Sequence, residues 1–332
     1  MIKTFIFISI VAFVSTGFAS ELNIYSGRKE ALIKPLLDQF RQETGIQVNL
    51  VTGSADALIQ RAKSEGEFSP VDLLIMADAG RLYRAKEMGI TQAMNIDMTA
   101  LPEGFYDPEE HWMALTKRAR TIMYKKDDQG KLPASMTDLA SPEFNDQICV
   151  RSSNNIYNQS LVASMILDKG VKATSTWVDG IVDNMARTPK GGDRDQIKAM
   201  VAGECRFAIA NTYYLGGMLA SNDANERQIA DQVAVIWTSK DAGGTHVNIS
   251  GVALAKYAKN IENAQKLIAF MLQKEQQQWY SEVNQEYPVI EGVQWSNILQ
   301  GFGAFDSQQV DFNQMGKLNG DALKIMDKAG WQ

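Results

Sequence analysis

Tyr213 and Tyr214 are adjacent in the run Ala-Ile-Ala-Asn-Thr-Tyr-Tyr-Leu-Gly-Gly, residues 208–217. In a buried strand, neighbouring side chains point to opposite faces, so only one of the two could join a core. A strand that ended here and turned at Gly216-Gly217 could aim both phenols at one cleft. Two hydroxyls meeting there are costly to desolvate without partners. As phenolates they would repel each other unless a strong cation lay between them. A ferric ion, small, hard and trivalent, is such a cation. The plain alternative is an ordinary tyrosine pair at a strand end.

Other chemistries find little support. The chain has two histidines, His111 and His246, and two cysteines, Cys149 and Cys205. No Cys/His cluster of zinc spacing can be built from them. No Ser/His/Asp arrangement, phosphate loop or dinucleotide fingerprint is present. An even cysteine count in an exported chain favours one disulfide, Cys149 to Cys205, over two free thiols. Export is read from residues 1–19: Lys3, the apolar run Phe5 to Val14, then small residues at Gly17 and Ala19. These are the parts of a cleavable signal peptide. The apolar run falls short of the roughly 20 residues a membrane span needs.

Removing that segment from 332 residues leaves 313, enough for two lobes of ordinary size. The formal charge of −6 becomes −7 without Lys3. An acidic exported chain is a poor candidate for nucleic acid or for anionic membranes.

The elements that must position the tyrosines can be read from periodicity. Leu22 to Ser26, Ile46 to Val51 and Val71 to Met76 have strand character, and helical spacing fills Glu30 to Glu43, Asp56 to Glu65 and Asp78 to Met88. That βαβαβα order predicts an α/β fold with a mostly parallel sheet flanked by helices. The second half repeats the theme. Strands are expected at Gln147 to Arg151, Phe207 to Ala210, Gln232 to Trp237 and Val252 to Leu254. Helices are expected at Ser160 to Asp168, Val171 to Met185, Asp195 to Gly203 and from Asn263. No linker separates the halves, so the chain is expected to cross near 115–120 and 240–250 through paired extended segments, a hinge.

Several segments together resemble the periplasmic ferric-ion binding proteins, the substrate-binding subunits of ABC iron importers. They are Ile24-Tyr25-Ser26-Gly27-Arg28, Asp72 to Met76 with Asp78-Ala79-Gly80-Arg81-Leu82, Arg118-Ala119-Arg120 with Met123-Tyr124, Arg151 to Asn158, Gly191-Gly192-Asp193, the tyrosine run, and Asn248 to Val252. The resemblance runs over essentially the whole chain after residue 19. It implies a type II periplasmic-binding-protein fold of two lobes. Residues 20–117 with 246–290 would form the N-terminal lobe and 118–245 the C-terminal lobe. Residues 291–332 would form terminal helices packing back on the C-terminal lobe.

The same resemblance implies that Tyr157, Tyr213 and Tyr214 hold Fe3+, and that an arginine near the crossing steadies an anion such as carbonate. Arg118 and Arg120 both occupy that region, and the sequence leaves open which faces the cleft. It also implies a monomer in the periplasm that serves an inner-membrane ABC permease and is not an enzyme. One departure is evident. Where many members carry a histidine after the first-strand arginine, this chain has Lys29 and Glu30. Glu30 could ligate from the N-terminal lobe or lie solvated in the first turn of a helix, where carboxylates are favoured.

Around this set, Ser152 or Ser153 could cap a helix and offer amides to the anion. Tyr25 at a strand end could donate a hydrogen bond toward the metal ligands or simply pack its ring. Asp78 and Asp193 read as helix caps. The competing readings are the same fold holding a small organic anion, a phosphonate or a thiamine-like ligand, and a secreted enzyme on the same scaffold.

Overall fold

A computed structural model describes residues 20–332. The signal segment read at 1–19 lies outside the described residues. Ten strands follow in chain order: β1 (Glu21–Ser26), β2 (Gln47–Thr52), β3 (Leu73–Met76), β4 (Thr91–Gln92), β5 (Trp112–Lys125), β6 (Ile148–Cys149), β7 (Phe207–Asn211), β8 (Val233–Ile236), β9 (Val247–Ala255) and β10 (Tyr287–Pro288). β1 lies between β2 and β3, parallel to both, with Ile24 opposite Leu50 and Leu73. The crossovers are the helices Lys34–Thr44 and Ala55–Glu65, as the βαβ pattern requires. The four residues of β3 are all buried, which suits a strand covered on both faces.

The long strand β5 belongs to two sheets. Its first part, Trp112 to Ala119, pairs with β9. Its second part, Arg120 to Tyr124, pairs with β7, and Ile122 to Lys125 pair with β8 on the other edge. The change of partner falls between Ala119 and Arg120, opposite the start of β9 at Val247. The result is a two-lobe α/β fold whose two sheets share β5; it is mixed and not mostly parallel as expected, because every pairing of β5 and β9 is antiparallel and only β1–β2, β1–β3 and β6–β7 run parallel.

The C-terminal helix Phe312–Ala329 packs on a helix of each half. Gly316 lies against Tyr83 of the helix Ala79–Glu87, and the same helix runs along Ile156–Asp183. Trp331, just beyond it, donates its indole N–H to Arg151 O at 3.0 Å. Among the described residues, no helix is long and apolar enough to cross a membrane.

Local departures from the sequence reading have physical causes. The helix read from Glu30 begins instead at Lys34, where Pro35 suits a first turn, and Glu30–Leu32 is a separate 3-10 turn. The strand read over Gln147 to Arg151 shrinks to Ile148–Cys149, because β7 offers it only a two-pair ladder. The two helices read between Ser160 and Met185 stack end to end as Ile156–Asp183, broken only at Gly170 (φ 78°, ψ 165°). Cys149 and Cys205 form a disulfide across 56 residues. Closing a loop of that length stabilises the fold by about 4 kcal/mol in the chain-entropy account.

Candidate metal centre

β7 ends at Asn211, and the helix Thr212–Leu219 starts immediately. Tyr213 and Tyr214 are therefore in a first helical turn, not at a strand end that turns at Gly216-Gly217. Gly216 lies inside the helix because its bare Cα meets Gln285; an added Cβ would stand 2.6 Å from Gln285 Cβ. The helical turn brings the two rings to the same side, with centroids 4.3 Å apart and planes 35° from parallel. Both rings are half-buried. The helix start also favours negative charge, since its free N–H groups form the positive end of the dipole.

Tyr157 arrives from a second helix start. Asn155, not Ser152 or Ser153, caps the helix Ile156–Asp183, accepting from Tyr157 N at 3.0 Å. Ser152 Oγ instead accepts from Asn154 N at 3.3 Å within the loop. The Tyr157 ring lies under two guanidinium groups, Arg118 at 5.1 Å and Arg151 at 5.8 Å.

The three phenols lie within electrostatic reach of one another. Burial pushes the Tyr213 hydroxyl well above the ordinary tyrosine pKa, helped by Tyr157 and Tyr214 and opposed by Arg118. Burial, with Tyr157 and Asp193, pushes Tyr214 up to about 12, against a hydrogen bond to Tyr213 and the charge of Arg151. The Tyr213 and Tyr214 phenolates would thus be destabilised by their surroundings, which is the arrangement a polyvalent cation would relieve. Among the described residues, no group of three or more His, Cys, Asp or Glu side chains could hold a metal ion. Both histidines are engaged elsewhere. His111 Nδ1 lies 2.7 Å from Thr91 Oγ1, and His246 Nδ1 lies 2.9 Å from Ser164 Oγ.

The two arginines left open by the sequence have different jobs. Arg118 sits beside Tyr157 and bonds Ile249 O at 2.5 Å, Ala77 O at 3.1 Å and Asp78 Oδ2 at 3.0 Å. Burial opposes its charge, but Asp78, Tyr157, Tyr213 and Glu286 outweigh that and raise its pKa. Arg120 is held in a polar knot. It donates to Asp193 Oδ2 (2.9 Å), Asn211 Oδ1 (3.2 Å), Asn158 Oδ1 (2.6 Å) and Ile209 O (3.3 Å). Asn211 precedes the tyrosine pair by two residues and Asn158 follows Tyr157, so Arg120 ties both tyrosine-bearing elements together.

Residues 49–299 match the bacterial extracellular solute-binding proteins. The chain belongs to that family. Iron uptake protein A1 of Synechocystis sp. is 41% identical over 322 residues, covering 95% of this chain and 89% of its own. The major ferric iron-binding protein of Neisseria meningitidis serogroup B is 24% identical over 95% of each chain. Among solved structures, Trichodesmium IdiA (FutA) in complex with iron and citrate ligands is similar with a TM-score of 0.88 at 41% identity, over 94% of this chain and all (100%) of that one. The ferric binding protein from Campylobacter jejuni is similar with a TM-score of 0.89 at 35% identity, again over 94% and 100%.

In this solute-binding protein most of the remaining sequence candidates have partners of their own. Tyr25 donates its hydroxyl to Glu65 Oε2 at 2.9 Å, and Arg61 stacks 4.8 Å from its ring. Glu30 is exposed in its 3-10 turn. Asp78 does cap its helix, accepting from Gly80 N at 2.9 Å, and also holds Arg118, Ser160 and Asn248. Asp193 is not the cap, since Gly192 holds that position; it is the buried counter-ion of Arg120 and accepts from Asn211 N at 2.9 Å. A third buried pair joins Arg28 to Glu286 at 2.9 and 3.1 Å, with Thr116 also donating to Glu286. Glu286 carried no sequence signal, because its partners lie 170 and 258 residues away.

Proposed function

We propose that this protein captures Fe(III) in the periplasm through the phenolates of Tyr157, Tyr213 and Tyr214 and delivers it to an inner-membrane ABC permease. It acts as a carrier and not as an enzyme. The observation that carries the reading is the gathering of three tyrosines at two helix starts: the Tyr213 and Tyr214 rings lie 4.3 Å apart, and Tyr157 is near enough to raise the pKa of both. Three phenolates balance the charge of Fe(III), and hard oxygen donors select it over softer metals. The names of the relatives, iron uptake and ferric iron-binding proteins, support the same cargo.

Arg118 stands beside Tyr157 and is the group that would steady a synergistic anion such as carbonate. Arg120 is committed to its four partners and serves the site through Asn158 and Asn211. Glu30 stays solvated, so one half supplies the protein ligands and the anion or water completes the shell. An absorption spectrum of purified protein with and without ferric citrate tests the reading. Phenolate-to-iron charge transfer should colour the protein purple to red. A protein that stays colourless, with no iron retained after desalting, overturns it.

A further inference from the structure

We propose that the Cys149–Cys205 disulfide is a positioning device for the iron ligands, setting the spacing between the segment that carries Tyr157 and the one that carries Tyr213 and Tyr214. The inference rests on the ferric reading above and concerns what holds its ligands in place. Eight residues lead from Cys149 to Tyr157, and eight lead from Cys205 to Tyr213. The two arms leave the bridge in the same direction, because β6 and β7 are parallel. Each arm ends in a helix whose first turn carries a tyrosine.

Each root has neighbours of its own: β7 pairs with β5 over five residues, and Ile148 donates to Asn184 O and accepts from Ala186 N; directly between the arms, Arg206 N and Phe207 N donate to Gln147 O. The ladder between β6 and β7 consists of Ile148 opposite Phe207 and Cys149 opposite Ala208. From Val150 to Asn155 the first arm is in no strand. A ladder this short offers few hydrogen bonds to resist a slip or splay of one arm against the other. The covalent bridge sits at the root of both arms, with both cysteines buried. Arg187 Nε donates to Cys149 Sγ at 3.4 Å and seats the bridge against a third segment. At the far end, Arg120 joins the arms again through Asn158 and Asn211. The arms are therefore tied covalently at the root, by the short ladder beside it, and by the Arg120 guanidinium at the far end. Chain entropy alone depends on loop length and not on where the bridge sits. A bridge at the roots of both tyrosine arms does more than close a loop: it fixes ligand spacing, and groups that orient metal ligands typically change affinity by about 10–100-fold.

The test compares the parent, the C149A/C205A double variant and Phe40→Leu, a core change in the other half chosen to lower stability without touching the site. Iron affinity is measured by citrate competition, together with the position and intensity of the charge-transfer band per iron and the apo Tm. The double variant should bind iron about 10–100-fold more weakly with an altered band. Phe40→Leu should lose Tm while keeping affinity and band. As a second route, the apo parent is reduced, its thiols are capped as methyl disulfides, and the bridge is later re-formed. Affinity should fall and then recover. If the parent is coloured and the bridge-free forms hold iron equally well, the inference is overturned and the ferric reading stands. A parent with no band overturns the ferric reading and this inference with it.

Discussion

Tyr213 and Tyr214 are neutral phenols in the metal-free protein, as any tyrosine is near pH 7, burial extends that state to higher pH, and a neutral phenol is a weak ligand. Binding must strip those protons, so each ligating tyrosine should release about one proton per iron. Tyr157→Phe, Tyr213→Phe and Tyr214→Phe should each release one proton fewer in a weakly buffered titration and weaken iron binding by orders of magnitude in citrate competition. Glu30→Gln should change neither quantity, because Glu30 is exposed in its own turn. The same shifts make the apo protein sensitive to base. The folded pKa of Tyr214 is about 12, above the usual value of about 10, so the unfolded chain loses its proton first. Stability is complete below about pH 10 and falls as pH rises toward about 12. Urea midpoints across that range should fall less steeply for Tyr214→Phe than for the parent.

The tyrosine helix shows how far an element can be read from its own residues. The strand Phe207–Asn211 was legible as a buried apolar run, and the helix after it was not. Two glycines in Leu-Gly-Gly argue locally for a turn, since glycine weakens helices. Their use becomes clear only from Gln285, which the sequence places 69 residues from Gly216. Arg118 and Arg120 were beyond periodicity for a similar reason. Residues two apart in a strand share a face, so only the partners each one meets can separate their roles. Asp193 follows two glycines and looks like a cap, yet its carboxylate is buried against Arg120 from a strand 73 residues earlier. Two predictions belong here. Gly216→Ala must push the helix off Gln285 and should cost about 1–3 kcal/mol in urea unfolding, with weaker iron binding. Asp193→Ala leaves the Arg120 charge buried without its counter-ion and should cost about 3–5 kcal/mol.

At the scale of the molecule, β5 joins two sheets, and the parallel set β2-β1-β3 was plain from alternating apolar strands and helices. The shared strand was legible only as extended segments near the crossings, because an uninterrupted 14-residue strand does not announce where its partners change. His246 sits at that junction. It precedes β9, its carbonyl accepts from Arg120 N at 3.0 Å, and its ring meets Ser164 of the long helix and Gln308 of the C-terminal segment. Burial lowers its pKa to about 3, with Arg120 and Arg118 adding to the effect and the Gln308 hydrogen bond opposing it. The unfolded chain therefore takes up the imidazole proton near pH 6.5, before the folded protein does. Stability is complete above that pH and declines as pH falls toward about 3. Acid should thus act twice, reprotonating the phenols so that iron leaves and loosening the junction through His246. The two effects are separable. His246→Gln retains hydrogen-bonding capacity and removes the titrating group, so apo urea midpoints between pH 7 and 4 should decline less steeply than in the parent. The pH at which the charge-transfer colour fades should stay where it is, since that transition belongs to the tyrosines. A variant that held its colour to lower pH would tie iron release to the junction and would count against phenol reprotonation as its cause.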